Sequence, residues 1–190
     1  MSAPLLSTFA AGAVGEWRII RVDAVRGQGL AVAERLAVLE GATLSVPVGT
    51  VWLLRGVTSN TRYTTRAEDG ALAASQPELG RAEATQAALI PIRKTDKWWS
   101  LAQDERRSIF EERSQHISTG LKYLPAVARR LHHCRDLGEP FDFLTWFEHA
   151  PEYTGTFEEL LDRLRETEEW SYVEREVDIR LTRVSVPHSN

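Results

Sequence analysis

Cysteine is almost absent from this chain: Cys134 is the only one among 190 residues. A single thiol cannot close an internal disulfide, which excludes the cross-linked scaffold of a small secreted domain. Long apolar runs are missing too. None approaches the roughly 18–20 residues that span a bilayer. The opening stretch MSAPLLSTFAAGAVG carries no lysine or arginine, so it lacks the charged start of a secretory signal. A cytoplasmic location is therefore expected, with a processed periplasmic form as the alternative. Nor is there an excess of positive charge. Lys and Arg number 23 against 27 Asp and Glu, a net charge of −4, which argues against nucleic acid or an anionic membrane as the main partner. A local positive pocket for a small anion stays compatible with that balance. No phosphate-binding loop, G-x-G-x-x-G or G-x-S-x-G motif occurs.

What is present suits a soluble globular domain: 43% hydrophobic and 26% charged residues, in a chain long enough to bury a sizeable core. Residues 1–15 read as a loose arm. Strands are expected over Trp17–Val25, Val51–Val57, Ala87–Arg93, Arg129–Arg135, Asp142–Glu148 and Val173–Leu181, with Arg62–Thr65 as a short addition. Pro91 marks its strand as an edge or a bulge. The Ala, Leu and Glu content of Leu30–Leu39 predicts a short helix stopped by Gly41. A second helix is expected within residues 66–82. Ser100 and Gln103 form a capping-box pattern for a long helix to about Gln115, and Thr156 with Glu159 forms another. Behind that second box, Phe157, Leu160, Leu161 and Leu164 fall on one helical face. Short turns between successive strands favour antiparallel pairing, and the fold class is α+β.

The chemistry concentrates between Lys94 and Arg135. A tryptophan pair opens this stretch, a helix follows, and His116 sits near the helix end. A neutral imidazole is a common metal ligand. Arg129 follows on the next element, where a guanidinium could face the same cavity from the other side. His132, His133 and Cys134 invite a metal reading of their own, but adjacent strand residues point to opposite faces and no second pair stands at zinc spacing.

These residues, in this order, resemble the chlorite dismutase family. The likeness is carried by Lys94 with Trp98 and Trp99, then His116, Tyr123-Leu124, Arg129, and Leu131-His132-His133. Phe141-Asp142-Phe143, Phe147-Glu148, and Glu169 three residues before Tyr172 continue it. It covers the C-terminal half closely and the N-terminal half loosely, and the short chain resembles the compact, dimeric branch. The resemblance implies a ferredoxin-like dimeric α+β barrel of two antiparallel-sheet halves flanked by helices. Residues 1–95 would form a trimmed first half, and residues 96–190 the half that holds heme b, one per chain. It also implies a homodimer acting on a small anion, chlorite, with no nucleic-acid or membrane partner.

The resemblance further implies a role for each residue. His116 would be the proximal ligand of the heme iron. Glu169 would accept from its other ring nitrogen, with Glu166 and Glu168 as nearby alternatives. Arg129 would be the distal guanidinium, with Arg130 beside it pointing to the opposite face. Lys94 and Trp98 would hold the heme propionates, and Trp99 would lie on the proximal side. Asn60 and Tyr63 would be further propionate contacts, and Gln76 a distal-pocket glutamine. The implied reaction converts chlorite to chloride and O2 through an oxo-iron species and O–O bond formation. The alternative is another heme protein of the same fold: a coproheme decarboxylase, a weak peroxidase or a heme-binding module.

Overall fold

Eight strands close into a barrel in the order β1-β3-β2-β8-β5-β7-β6-β4, and every neighbouring pair is antiparallel. The structure is a computed structural model that describes residues 5–41, 45–58 and 63–184. The strands are β1 (Leu5–Gly12), β2 (Trp17–Arg26), β3 (Arg35–Glu40), β4 (Trp52–Thr58), β5 (Gln86–Lys94), β6 (Val127–His133), β7 (Phe143–His149) and β8 (Val173–Arg183). The helices are α1 (Arg66–Ser75), α2 (Asp96–Ser100), α3 (Gln103–Arg107), α4 (His116–Lys122) and α5 (Thr154–Arg165). Round the barrel the strands form two arcs, β4-β1-β3-β2 and β6-β7-β5-β8. Each arc shows the ferredoxin-like order, and closure removes the exposed sheet edges that would otherwise recruit other chains.

Strand alternation divides the buried residues into two layers. One fills the barrel, with Phe9, Trp17, Leu36, Leu89, Trp146 and Ile179 at its centre. The other lies outside the second arc, where Phe143, Phe147 and Ile90 meet Phe157, Leu160, Leu161 and Leu164 of α5. Each of those four α5 side chains contributes on the order of 1.5–3 kcal/mol by leaving water. The expected alternation of β8 is present, but its charged face is not solvated. Glu176 and Asp178 are buried, and Arg165 of α5 reaches them at 2.6 and 2.9 Å. Arg180 adds a pairing to Asp178 and another to Glu158. Lone carboxylates could not stay charged there; paired ones can.

Several elements differ from the sequence expectation. Residues 5–12 are not a loose arm but β1, with Phe9 and Ala11 sealed inside the barrel. The helix expected over Leu30–Leu39 is instead β3, because pairing with both β1 and β2 outweighs its composition. Arg62 lies outside the described residues, and residues 63–65 turn into α1 rather than forming a strand. Pro91 is on neither an edge nor the bulge. It sits inside β5, paired with Leu144 of β7, while the ladder to β8 skips at unchanged register from Leu89–Ile179 to Ile92–Glu176, the gap expected beside a residue without an N–H. The helix expected from Ser100 to about Gln115 starts at Gln103 as α3 and continues as a π-helical stretch, Ser108–Arg113; Ser100 instead ends α2, and α4 starts after a break at Ser114-Gln115. Ser100 caps nothing; its hydroxyl donates to the Lys97 carbonyl at 2.8 Å. α5 begins at Thr154, so Thr156 is not its cap. No helix among the described residues is long and apolar enough to cross a membrane.

Candidate functional site

A cavity of about 400 Å³ lies between the outer face of the second arc and helices α1, α4 and α5. Ile90, Ile92, Phe143 and Phe147 wall it from the sheet, Leu161 and Leu164 from α5. Into this apolar space converge Lys94, Trp98, His116, Arg129, Glu169, Gln76 and Tyr63. A few polar groups aimed into an apolar cavity of this size are the usual make-up of a small-molecule site.

His116 is the first residue of α4, and the chain works to aim it. The π-helical turn before it shifts the register, a feature that recurs at functional sites. Gln115 then takes a left-handed conformation, φ 51°, which breaks the helix and sets a new direction. The Glu111 carboxylate caps the restarted helix, accepting from Ile117 N at 2.5 Å and Ser118 N at 3.1 Å. Phe110 stacks on the imidazole with ring centres 4.3 Å apart.

His116 Nδ1 lies 2.6 Å from Glu169 Oε2, and Lys94 Nζ donates to Glu169 Oε1 at 2.6 Å. Glu169 and Lys94 are both buried. Burial pushes the Glu169 carboxyl's pKa up, but the charges of Lys94 and His116 outweigh it and hold the group down at about 2. An ionised Glu169 accepts the Nδ1 proton, which leaves Nε2 with the lone pair a metal needs. Glu169 N donates to Ser114 Oγ at 2.9 Å, fixing the backbone of this turn. Glu168 pairs outward with Arg113 at 2.9 Å, and Glu166 ends α5 as its C-cap. The Lys94 ammonium, expected at a heme propionate, lies against Glu169 in this structure, as a buried cation must lie against a counter-charge.

Trp98 is 1% exposed, and its Nε1 has no partner among the described residues. Lys94 Nζ sits 4.7 Å from its ring centre. Trp99 does not line the cavity. It stacks behind the wall on Phe143, donates to Asp142 Oδ2 at 3.1 Å and lies under Arg135 at 4.1 Å. Asp142 also accepts from Lys94 N at 2.7 Å and from Arg135 at 3.2 Å, so one buried carboxylate ties β5, α2 and β7 together.

Arg129 and Arg130 part as strand geometry requires. Arg130 pairs with Glu40 of β3. Arg129 has no carboxylate partner among the described residues, and desolvation lowers its guanidinium pKa; the group keeps its charge nonetheless. Its tip rests against Gly120, one turn beyond His116 on α4, where any added Cβ would overlap it. Gln76 donates its side-chain amide to the Arg129 carbonyl. Tyr63 meets Trp98 edge-on at 6.0 Å and Phe110 at 5.7 Å. Asn60 lies outside the described residues. The sequence reading missed Phe110, Glu111, Ser114 and Gly120. Only the spacing of Phe110 and Glu111 before His116 could have signalled them, since each acts through a local turn whose shape the sequence pattern does not announce.

A model of the family described as chlorite dismutase matches residues 30–185. A chlorite dismutase from Ideonella dechloratans is 33% identical over 86 residues, which cover 45% of this chain but only 28% of that relative's length. The crystal structure of a dimeric chlorite dismutase from Nitrobacter winogradskyi is similar with a TM-score of 0.87 at 58% identity, covering 93% of this chain and 99% of that one. A mutant chlorite dismutase from Candidatus Nitrospira defluvii is alike in fold, TM-score 0.70 at 18% identity, over 96% of this chain and 93% of its own.

Proposed function

Because the chain belongs to the chlorite dismutase family, we propose that it is a heme b enzyme, active as a homodimer, that converts chlorite to chloride and O2. One observation carries this reading. Within a single apolar cavity, an imidazole braced by an ionised carboxylate faces the same space as a guanidinium without a carboxylate partner among the described residues. A brace of that kind raises the basicity of a metal-bound imidazole.

The residues fit a heme. Trp98 Nε1 is a buried donor with no acceptor among the described residues, and a propionate carboxylate would be one. His116 would ligate the iron through Nε2, and Tyr63 lies beside Trp98 as a further edge contact. When bound, the heme supplies the redox chemistry that breaks the Cl–O bond and joins the two oxygens. The chain's own residues do the rest. Arg129 draws in the chlorite anion and keeps the chlorine-bearing fragment from leaving before the oxygens join. The apolar walls exclude water, so that charge acts at nearly full strength. Lys94 and Glu169 hold His116 in one tautomer and one orientation. The equation balances without outside reagents, ClO2⁻ → Cl⁻ + O2, so no proton relay or electron donor is required of the protein.

The test is isotopic. Chlorite carrying 18O in both positions, given to hemin-loaded protein in ordinary water, is expected to yield O2 with both atoms labelled. Bound hemin without O2, or O2 that carries solvent oxygen, would reject the reading.

A further inference from the structure

Beside α5, α1 has a thin apolar anchor over the cavity. Leu72 is its only buried residue, whereas α5 buries four side chains against the sheet. A ten-residue helix holds its place only through tertiary contacts. Besides its packing by Leu72 and against α4, α1 is held through Arg107 on α3. Arg107 Nη1 and Nη2 lie 2.9 and 2.7 Å from the two oxygens of Glu68, a bidentate fork with both side chains largely shielded from solvent. The same guanidinium donates to the carbonyl of Tyr63, whose left-handed backbone, φ 61°, turns the chain towards α1. Glu68 also closes the helix's capping box. It accepts from Thr65 N at 2.7 Å while its own N–H donates to Thr65 Oγ1 at 3.3 Å. Arg106 lies over the Tyr63 ring at 5.7 Å. A single arginine thus grips the approach and the first turn of a helix whose C-cap residue, Gln76, is tied to the Arg129 carbonyl.

We propose that Arg107 is a positioning residue that holds α1 shut over the cavity, so that the Glu68–Arg107 fork sets how long the heme is retained. This rests on the heme reading given above. A lysine could supply the charge but not the planar fork that engages both oxygens and the Tyr63 carbonyl together.

The experiment loads the protein with hemin and follows its transfer to excess apomyoglobin by the Soret band, with amide hydrogen exchange measured alongside. Arg107→Ala and Glu68→Gln are each expected to speed hemin loss on the order of tenfold, the effect of removing one charged hydrogen-bonded pair. The double variant should add little to either single one, and Arg107→Lys should recover only part of the retention. Exchange should rise in residues 66–75 and not in β5 or β7. Unchanged hemin loss, or exchange that rises evenly through the chain, would overturn the proposal. Failure of the unsubstituted protein to bind hemin would instead reject the heme reading. The exchange of α1 in the hemin-free variants then decides whether Arg107 holds the helix at all.

Discussion

His116 and Glu169, 53 residues apart in the chain, meet at 2.6 Å between Nδ1 and Oε2. Lys94 closes the relay from the other side of the carboxylate. The three come from β5, the start of α4 and the turn before β8, so the barrel itself assembles them.

Removing the charge of Glu169 should act twice. Glu169→Gln leaves the Lys94 ammonium buried without its counter-ion, a loss of about 3–5 kcal/mol, read by urea denaturation. It also takes the anionic acceptor from His116, so the reduction potential of bound hemin should rise. A potential that stays put would mean that the carboxylate does not tune the ligand.

Acid should find the same group. The folded pKa of Glu169, about 2, lies below the ordinary 4.5. Its contribution to stability is therefore complete above about pH 4.5 and is lost as the pH falls towards 2. Unfolding free energy measured across that window should fall more steeply for the unsubstituted protein than for Glu169→Gln. Equal slopes would contradict the pairing.

The strands of the second arc and the cluster of cavity residues were legible in the sequence because their signals are local: alternation in β7 and β8, and ordered spacing from Lys94 to Glu169. β1 was not legible, because LLSTFAAG is small and uncharged and nothing in it announces that two partner strands bury Phe9. β3 has a helix former's composition and becomes a strand only through its neighbours. The pairing of Lys94 was not legible for a similar reason. That Glu169, 75 residues later, claims its ammonium is a fact of tertiary structure. The kink that aims His116 depends on a left-handed Gln115, a conformation few would assign to glutamine.

Arg129→Ala should keep hemin but use chlorite less efficiently, and the protein should bleach sooner as the reactive chlorine fragment escapes. Turnover number and Soret lifetime during turnover measure this. If neither changes, Arg129 has no part in the reaction.

Gly120→Ala tests the same guanidinium from the helix side. The added methyl would overlap the Arg129 tip, so the side chain must move. The expected variant folds and binds hemin while its KM for chlorite rises, with a smaller loss in kcat. Kinetics equal to those of the unsubstituted protein would show that Arg129 does not work from this position.

Asp142 supports the site from behind. Asp142→Ala would leave the buried Lys94 N–H without its acceptor and free the Trp99 and Arg135 donors. A cost of about 3 kcal/mol is expected, with a red shift in tryptophan emission as Trp99 loosens. Urea titration followed by fluorescence reads both.

The most direct test of the account is an oxygen-electrode trace of the hemin-loaded protein given chlorite, with His116→Ala run beside it. The account predicts rapid O2 release that is lost when His116 is replaced. Hemin held by His116 with no O2 released, or O2 released equally without His116, would contradict it.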